Sequence, residues 1–234
     1  MPGHVPEIVR IDNLEKLRER ATAALSQFLK ESKDIPVLLM LSGGSAMELL
    51  DDISLEYIGK NTTITMLDDR FSRELDVNNF AQFSETMFCK VAIARGTKFI
   101  STVPKESETL QGFSTRLDSE LKSWVKLHPA GKIIAVIGVG PDAHTAGIMP
   151  YSEALLSKSW VVGYDAGEKN VYPQRATVSA TFMRDKIDGG VVYVRGATKK
   201  DALNKLISEG SLNEAPARIM REMKNVKVFT DIPQ

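Results

Sequence analysis

Four short runs in this 234-residue chain carry residue types able to do chemistry. The densest is Gly138-Val139-Gly140-Pro141-Asp142-Ala143-His144-Thr145-Ala146-Gly147, where His144 stands two places after Asp142. Histidine titrates at about pH 6.5, so an imidazole beside a carboxylate on a ligand-facing loop is suited to proton transfer near neutrality. Ser42-Gly43-Gly44-Ser45 offers successive backbone N–H groups with little side-chain bulk ahead of a helix, an arrangement that holds phosphate. A glycine turn needed only for positive φ and close packing explains that run equally well. It lacks the spaced Gly-Lys-Ser/Thr ending of a nucleoside-triphosphate loop.

Asp68-Asp69-Arg70 puts two acids and a permanent cation where an apolar strand stops. A solvated turn is the plainer explanation, but adjacent carboxylates repel unless a cation or a proton-transfer role compensates. The planar guanidinium suits a phosphate or a developing oxyanion. In Arg195-Gly196-Ala197-Thr198-Lys199-Lys200-Asp201, the spacing of Thr198 and Asp201 resembles a capping box and predicts Lys199 and Lys200 in the first helical turn. The helix dipole disfavours cations there, which a bound anion would offset; both lysines pointing into water satisfies the sequence too.

The histidine run also fits the dinucleotide fingerprint G-x-G-x-x-G/A, with Asp165 about 20 residues further on where the ribose-binding acid would lie. Pro150 would cut the following helix short, and the run falls well past mid-chain rather than in the first βαβ unit. Both count against a nucleotide site. His4 and His128 read as structural, and neither Ser42 nor Ser45 lies in the G-x-S-x-G elbow of a serine hydrolase.

The elements that must position these runs alternate. Asp12 is placed to cap a helix through Leu14, Leu17, Ala21, Leu25, Phe28 and Leu29. Strands are expected at 37–41, 63–67, 98–101, 132–139, 160–164, 176–181, 190–194 and 226–230. Helices are expected at 46–52, 79–94, 106–127, 198–209 and 217–223. This order predicts an α/β fold, a largely parallel sheet covered by helices on both faces, with no linker or repeat to divide residues 1–234 into more than a single domain. Ligands of such sheets bind beyond the carboxyl ends of the strands, where all four runs lie.

Hydrophobic residues make up 43% and charged residues 26%, a globular balance. Lys+Arg and Asp+Glu are both 30, so no basic field draws nucleic acid or an anionic membrane, and any anion site is local. Met1-Pro2-Gly3-His4 shows no basic segment leading into an apolar core, and no apolar stretch approaches bilayer length. The single Cys89 excludes an internal disulfide and a cysteine-built zinc site, and reads as a small buried residue on a helix. A cytoplasmic protein is expected, with no metal.

Taken together, the loops resemble the 6-phosphogluconolactonase family, relatives of glucosamine-6-phosphate deaminase, from about Val37 to Asp231. Gly138 to Pro150 is similar to the family's Gly-x-Gly-x-Asp-Gly-His-Thr-Ala-Ser-Leu-Phe-Pro signature, Ser42–Ser45 to its phosphate turn, and Asp68-Asp69-Arg70 to its Asp-Glu-Arg. Asn79-Phe80, Arg175 and Lys199 match further family positions. The resemblance implies a sugar-phosphate isomerase-like (Rossmann-like) fold and hydrolysis of 6-phospho-D-glucono-1,5-lactone in the pentose phosphate pathway, without a cofactor, by a monomer or homodimer. It implies His144 as general base and then acid, Asp142 or Asp68 orienting it, and Arg70 on the oxyanion. Ser42, Gly43, Gly44, Ser45, Lys199 and Arg175 would hold the phosphate. Ala46-Met47, Asp69, Ala143 and Gly147 depart from the family pattern, and alanine at 143 in place of glycine requires that its φ not be positive. The rivals are the amino-sugar phosphate deaminase, disfavoured by Thr145-Ala146-Gly147-Ile148 after the histidine, and a sugar-phosphate-binding protein without catalysis.

Overall fold

The computed structural model describes residues 4–168 and 170–234, so Met1-Pro2-Gly3 and Lys169 lie outside the described residues. In chain order the elements are β1 (Glu7–Arg10), α1 (Leu14–Glu31), β2 (Val37–Leu41), β3 (Thr62–Met66), β4 (Asp68–Arg70), α2 (Asn79–Glu85), α3 (Met87–Ala94), β5 (Lys98–Phe99), α4 (Leu110–Leu127), β6 (Lys132–Gly138), β7 (Val161–Asp165), β8 (Gln174–Val178), α5 (Ala180–Lys186), β9 (Gly189–Val194), α6 (Lys200–Ile207) and β10 (Val226–Thr230). Tight 3-10 segments include Gly44–Asp51, Ala197–Lys199 and Pro216–Arg221.

Seven strands form a sheet in the order β1-β10-β9-β6-β2-β3-β5, with every neighbouring pair parallel. A strand in the middle of such a sheet is covered on both faces, which is why Val37-Leu38-Leu39-Met40-Leu41 is apolar at every position and wholly buried. Its side chains alternate between two cores. Leu38 and Met40 join Phe113, Leu117 and Trp124 of α4 and Phe182 of α5. Leu39 and Leu41 join Leu17, Ala21 and Leu25 of α1 and Phe83 of α2.

The strand order reverses between β2 and β6, since the chain builds outward through β3 and β5 and then returns to lay down β6, β9 and β10 on the other side. Such a switch point opens a crevice beyond the carboxyl ends. The four chemistry-bearing runs leave the four contiguous strands β3, β2, β6 and β9, so topology gathers them there.

Several expectations need correction. The strands near 160–164 and 176–181 do not join the parallel sheet; β7 and β8 pair antiparallel with each other and β8 with β4, giving a separate sheet β4-β8-β7. Strand β8 stops at Val178 because the Ser179 hydroxyl accepts from Phe182 N at 3.1 Å and caps α5, a helix the pattern did not suggest. The helix expected over 79–94 breaks at Thr86, whose extended backbone ends α2 and whose Oγ1 caps α3 through Cys89 N at 3.1 Å. Asn13, not Asp12, caps α1, accepting from Lys16 N at 2.9 Å. The segments expected as helices at 46–52 and 217–223 are 3-10, and the 106–127 helix starts at Leu110 behind the Thr109 cap. No capping box forms at Thr198 and Asp201: α6 begins at Lys200, with Lys199 at its N-cap and no side-chain cap bond. Cys89 is buried on α3, as expected.

Candidate active site

A cavity of about 200 Å³ opens at the switch point, lined by every candidate site residue except Asp142, which stands behind His144. Asp142 Oδ1 lies 2.5 Å from His144 Nδ1 and accepts from His144 N at 3.1 Å, gripping ring and backbone together. With the Nδ1 proton directed at the carboxylate, Nε2 is the ring atom free to accept a proton. Burial pushes the Asp142 carboxyl up, but the hydrogen bond and charge of His144 outweigh it and hold the group below its ordinary value.

The loop is held from both sheets. Thr145 Oγ1 donates to Gly138 O at 2.8 Å, Thr177 Oγ1 of β8 donates to Ala146 O, and Tyr164 of β7 donates to Gly147 O at 2.5 Å while accepting from Met149 N at 3.2 Å. The imidazole lies against Gly140, where a Cβ would come within 2.1 Å of the ring. Ala143 has φ 68 and Ala146 φ 48, so the expectation of a non-positive φ at 143 is overturned. Left-handed backbone costs an alanine about 1–2 kcal/mol. Gly147, with φ +70, has a reason of its own: a Cβ there would lie 2.6 Å from Asp68 Cβ.

Strand alternation separates the two adjacent acids. Asp68 lines the cavity, whereas Asp69 is 1% exposed on the other side of β4. Asp69 accepts from Asn79 N at 2.6 Å, Phe80 N at 3.0 Å, Arg70 N at 2.8 Å and Thr102 Oγ1 at 2.5 Å, closing the N-terminus of α2. Burial pushes its carboxyl up to about 7 against the pull of those bonds. The departure from glutamate thus falls on a buried support rather than on a residue facing the pocket. Asn79, not counted among the candidate site residues, does line the cavity; its place just after the Asp-Asp-Arg strand was the available signal.

Arg70 and Arg175 sit directly opposite one another in the β4–β8 ladder. Arg175 is 7% exposed; its Nη2 donates to Tyr172 O at 2.9 Å, and its buried Nε has no partner. Like charges so placed call for an anion. Across the cavity, Gly43 is extended and Gly44 takes φ +66, opening the 3-10 segment Gly44–Asp51, whose first N–H groups are claimed by no side-chain cap. Lys199 completes the wall. Burial and then the charge of Arg195 lower its pKa, while Asp231 and Glu48 act the other way. Ala46, at 0% exposed, belongs to the core rather than to the ligand wall.

Among the described residues, no group of three or more His, Cys, Asp or Glu side chains could hold a metal ion, and no helix is long and apolar enough to cross a membrane. A larger cleft of about 750 Å³ lies at the opposite, amino edge of the sheet, among Phe28, Met220 and Met223. Both lysines on its rim are paired, Lys132 with Asp188 at 3.1 Å and Lys227 with Glu7 at 2.9 Å, and Glu31 accepts from Gln27 Nε2 at 2.7 Å. The smaller cavity, where Arg70, Arg175 and Lys199 have no ion-pair partner among the described residues and His144 is paired with Asp142, is the one equipped for chemistry.

Residues 12–229 match the family model described as glucosamine-6-phosphate isomerases/6-phosphogluconolactonase. A 6-phosphogluconolactonase of Borreliella burgdorferi is 31% identical over 98 residues, 42% of this chain and 41% of that relative, so the match spans about two fifths of the curated protein's length. Among solved structures, a 6-phosphogluconolactonase from Shewanella baltica is similar with a TM-score of 0.76 at 17% identity, covering 97% of this chain and 98% of the other. One from Leishmania guyanensis is similar with a TM-score of 0.75 at 20% identity, covering 96% of each chain. The chain belongs to the glucosamine-6-phosphate isomerase/6-phosphogluconolactonase family.

Proposed function

We propose that this member of the family hydrolyses 6-phospho-D-glucono-1,5-lactone to 6-phosphogluconate, a pentose phosphate pathway step, as a cytoplasmic single-domain enzyme of residues 1–234. The observation that carries the reading is the His144–Asp142 pair at 2.5 Å opening into a pocket whose walls carry Arg70, Arg175 and Lys199 against the single acid Asp68. That wall suits a small anionic ligand, and the histidine pair suits proton transfer.

A δ-lactone carbonyl is already electrophilic, so water needs a base, an oxyanion donor and a fixed geometry. Phosphate sits on the N–H groups of the Gly43–Ser45 turn, with Lys199 and Arg175 supplying charge. Ser42 shapes the same turn. His144 Nε2 takes a proton from water as its oxygen attacks the lactone carbon, and Asp142 stabilises the imidazolium. Arg70 meets the oxyanion. Collapse of the tetrahedral intermediate breaks the bond to the ring oxygen, which receives the proton back from His144. Asp68, on the cavity wall, helps orient the histidine or the attacking water.

Purified protein releases acid from 6-phosphoglucono-δ-lactone faster than spontaneous hydrolysis and yields no ammonia from glucosamine 6-phosphate. Ammonia without lactone hydrolysis would move the assignment to the deaminase, and binding without either turnover would leave a non-catalytic sugar-phosphate protein.

A further inference from the structure

We infer that Asn79 is a positioning residue that aims the Arg70 guanidinium into the pocket while leaving its charge unneutralised. The inference rests on the role of Arg70 proposed above. Asn79, the first residue of α2, is 2% exposed. Its Oδ1 accepts from Arg70 Nη1 at 2.6 Å, and the same Nη1 donates to Val77 O at 3.0 Å. Both protons of that nitrogen are therefore spent on the protein, and among the described residues Nη2 and Nε have no protein partner, which leaves them for a ligand.

The amide orientation follows from chemistry. A guanidinium only donates, so the oxygen must face it, and the Asp68 carbonyl only accepts, so Nδ2 must face that, as it does at 3.1 Å. The same side chain fills the space beside the phosphate turn, where a Cβ on Gly43 would come within 2.3 Å of Asn79 Oδ1. One buried amide thus touches the turn, the acid and the arginine. It is held in its turn by Asp69, which accepts from Asn79 N at 2.6 Å and from Thr102 Oγ1 at 2.5 Å. A carboxylate in place of the amide would keep the contact to Arg70 but pair off its charge, and would lose the donation to Asp68 O. A methyl would release a long side chain whose fixed direction is what transition-state stabilisation requires.

The test is a double-mutant cycle in lactone hydrolysis with melting temperatures recorded throughout. Asn79→Ala lowers kcat by about 10- to 100-fold, short of the loss expected for a deleted oxyanion donor, with KM within about threefold. In an Arg70→Ala background it has almost no further effect, because residues acting as a unit are not additive. Asn79→Asp, which keeps the shape, lowers kcat as well; wild-type turnover in that variant would reduce Asn79 to packing and overturn the inference. So would a kcat loss that multiplies fully with that of Arg70→Ala. If Arg70→Ala itself leaves kcat intact, the proposed role of Arg70 fails and the inference falls with it, an outcome distinct from additivity.

Discussion

At the carboxyl edge of the parallel sheet, Arg70, Arg175 and Lys199 share a cavity of about 200 Å³ with one acid, Asp68. At the amino edge, both lysines lining a cleft of about 750 Å³ are ion-paired, Lys132 with Asp188 and Lys227 with Glu7. Backbone conformation differs by residue type. The histidine loop holds two alanines, Ala143 and Ala146, in left-handed conformations, whereas the left-handed residue lining the amino-edge cleft is Asn225 (φ 47), a type that adopts this region more readily, and Gly189 there serves packing under Phe28. Unneutralised charge and local strain cost stability and persist where function requires them, so they mark a site better than volume does.

That contrast can be tested from its strongest point downward. His144→Ala should lower kcat by about 10²- to 10⁴-fold with little change in substrate affinity or melting temperature. A folded variant with near-normal turnover would remove the proton-transfer role from this edge. Lys199→Ala should weaken phosphorylated ligands by at least about tenfold and their unphosphorylated forms hardly at all, with stability unchanged. Because the Lys199 pKa is lowered, phosphate affinity of the wild type should begin to fall at a lower alkaline pH than for an ordinary lysine, and titration calorimetry with a stable sugar phosphate would reveal it. Equal weakening of both ligand types would break the assignment.

At the amino edge the signs reverse. In Gly189→Ala the new Cβ would lie 2.8 Å from the Phe28 ring and 3.2 Å from Asn225 O. Overpacking of this kind costs about 1–3 kcal/mol, so denaturant midpoints should drop while kcat and KM hold. A loss of activity without a loss of stability would mean the two edges are coupled. The smallest effect is expected from Ala143→Gly. Relief of the φ 68 conformation less the added backbone entropy should raise stability by about 0.5–1 kcal/mol, and denaturation that favours the alanine form would argue against strain there.

Much of this architecture was legible because buried parallel strands announce themselves as apolar runs; β2, β6 and β9 lie close to where the pattern predicts them. The small antiparallel sheet was not, since a strand of three residues such as β4 has too few positions for a period, and its partners β7 and β8 are apolar enough to pass for parallel strands. Local capping misled in places. Thr86 breaks a helix because its hydroxyl serves the next one, and Asn13 outcompetes Asp12 through backbone geometry that composition does not contain. The pocket-lining candidates were readable as residue types at strand ends, but the division of labour between Asp68 and Asp69 depends on which face of β4 each occupies.

The ion pair between Arg195 and Glu48 closes a separation of 147 residues, at 2.5 Å, and joins the Lys199 loop to the segment that follows the phosphate turn. A ribosome delivers about 5–20 residues per second. The turn, the histidine loop and strand β6 are therefore all synthesised well before the strand that must lie beside β6. Until β9 arrives, the middle of the sheet is a raw edge of Ile133, Ile134, Val136 and Ile137, the kind of surface that chaperones shield and that pairs wrongly with a neighbour. Lys199 is the last of the pocket residues to be synthesised, so a chain terminated before β9 carries the phosphate turn and the histidine pair but lacks the lysine of the wall.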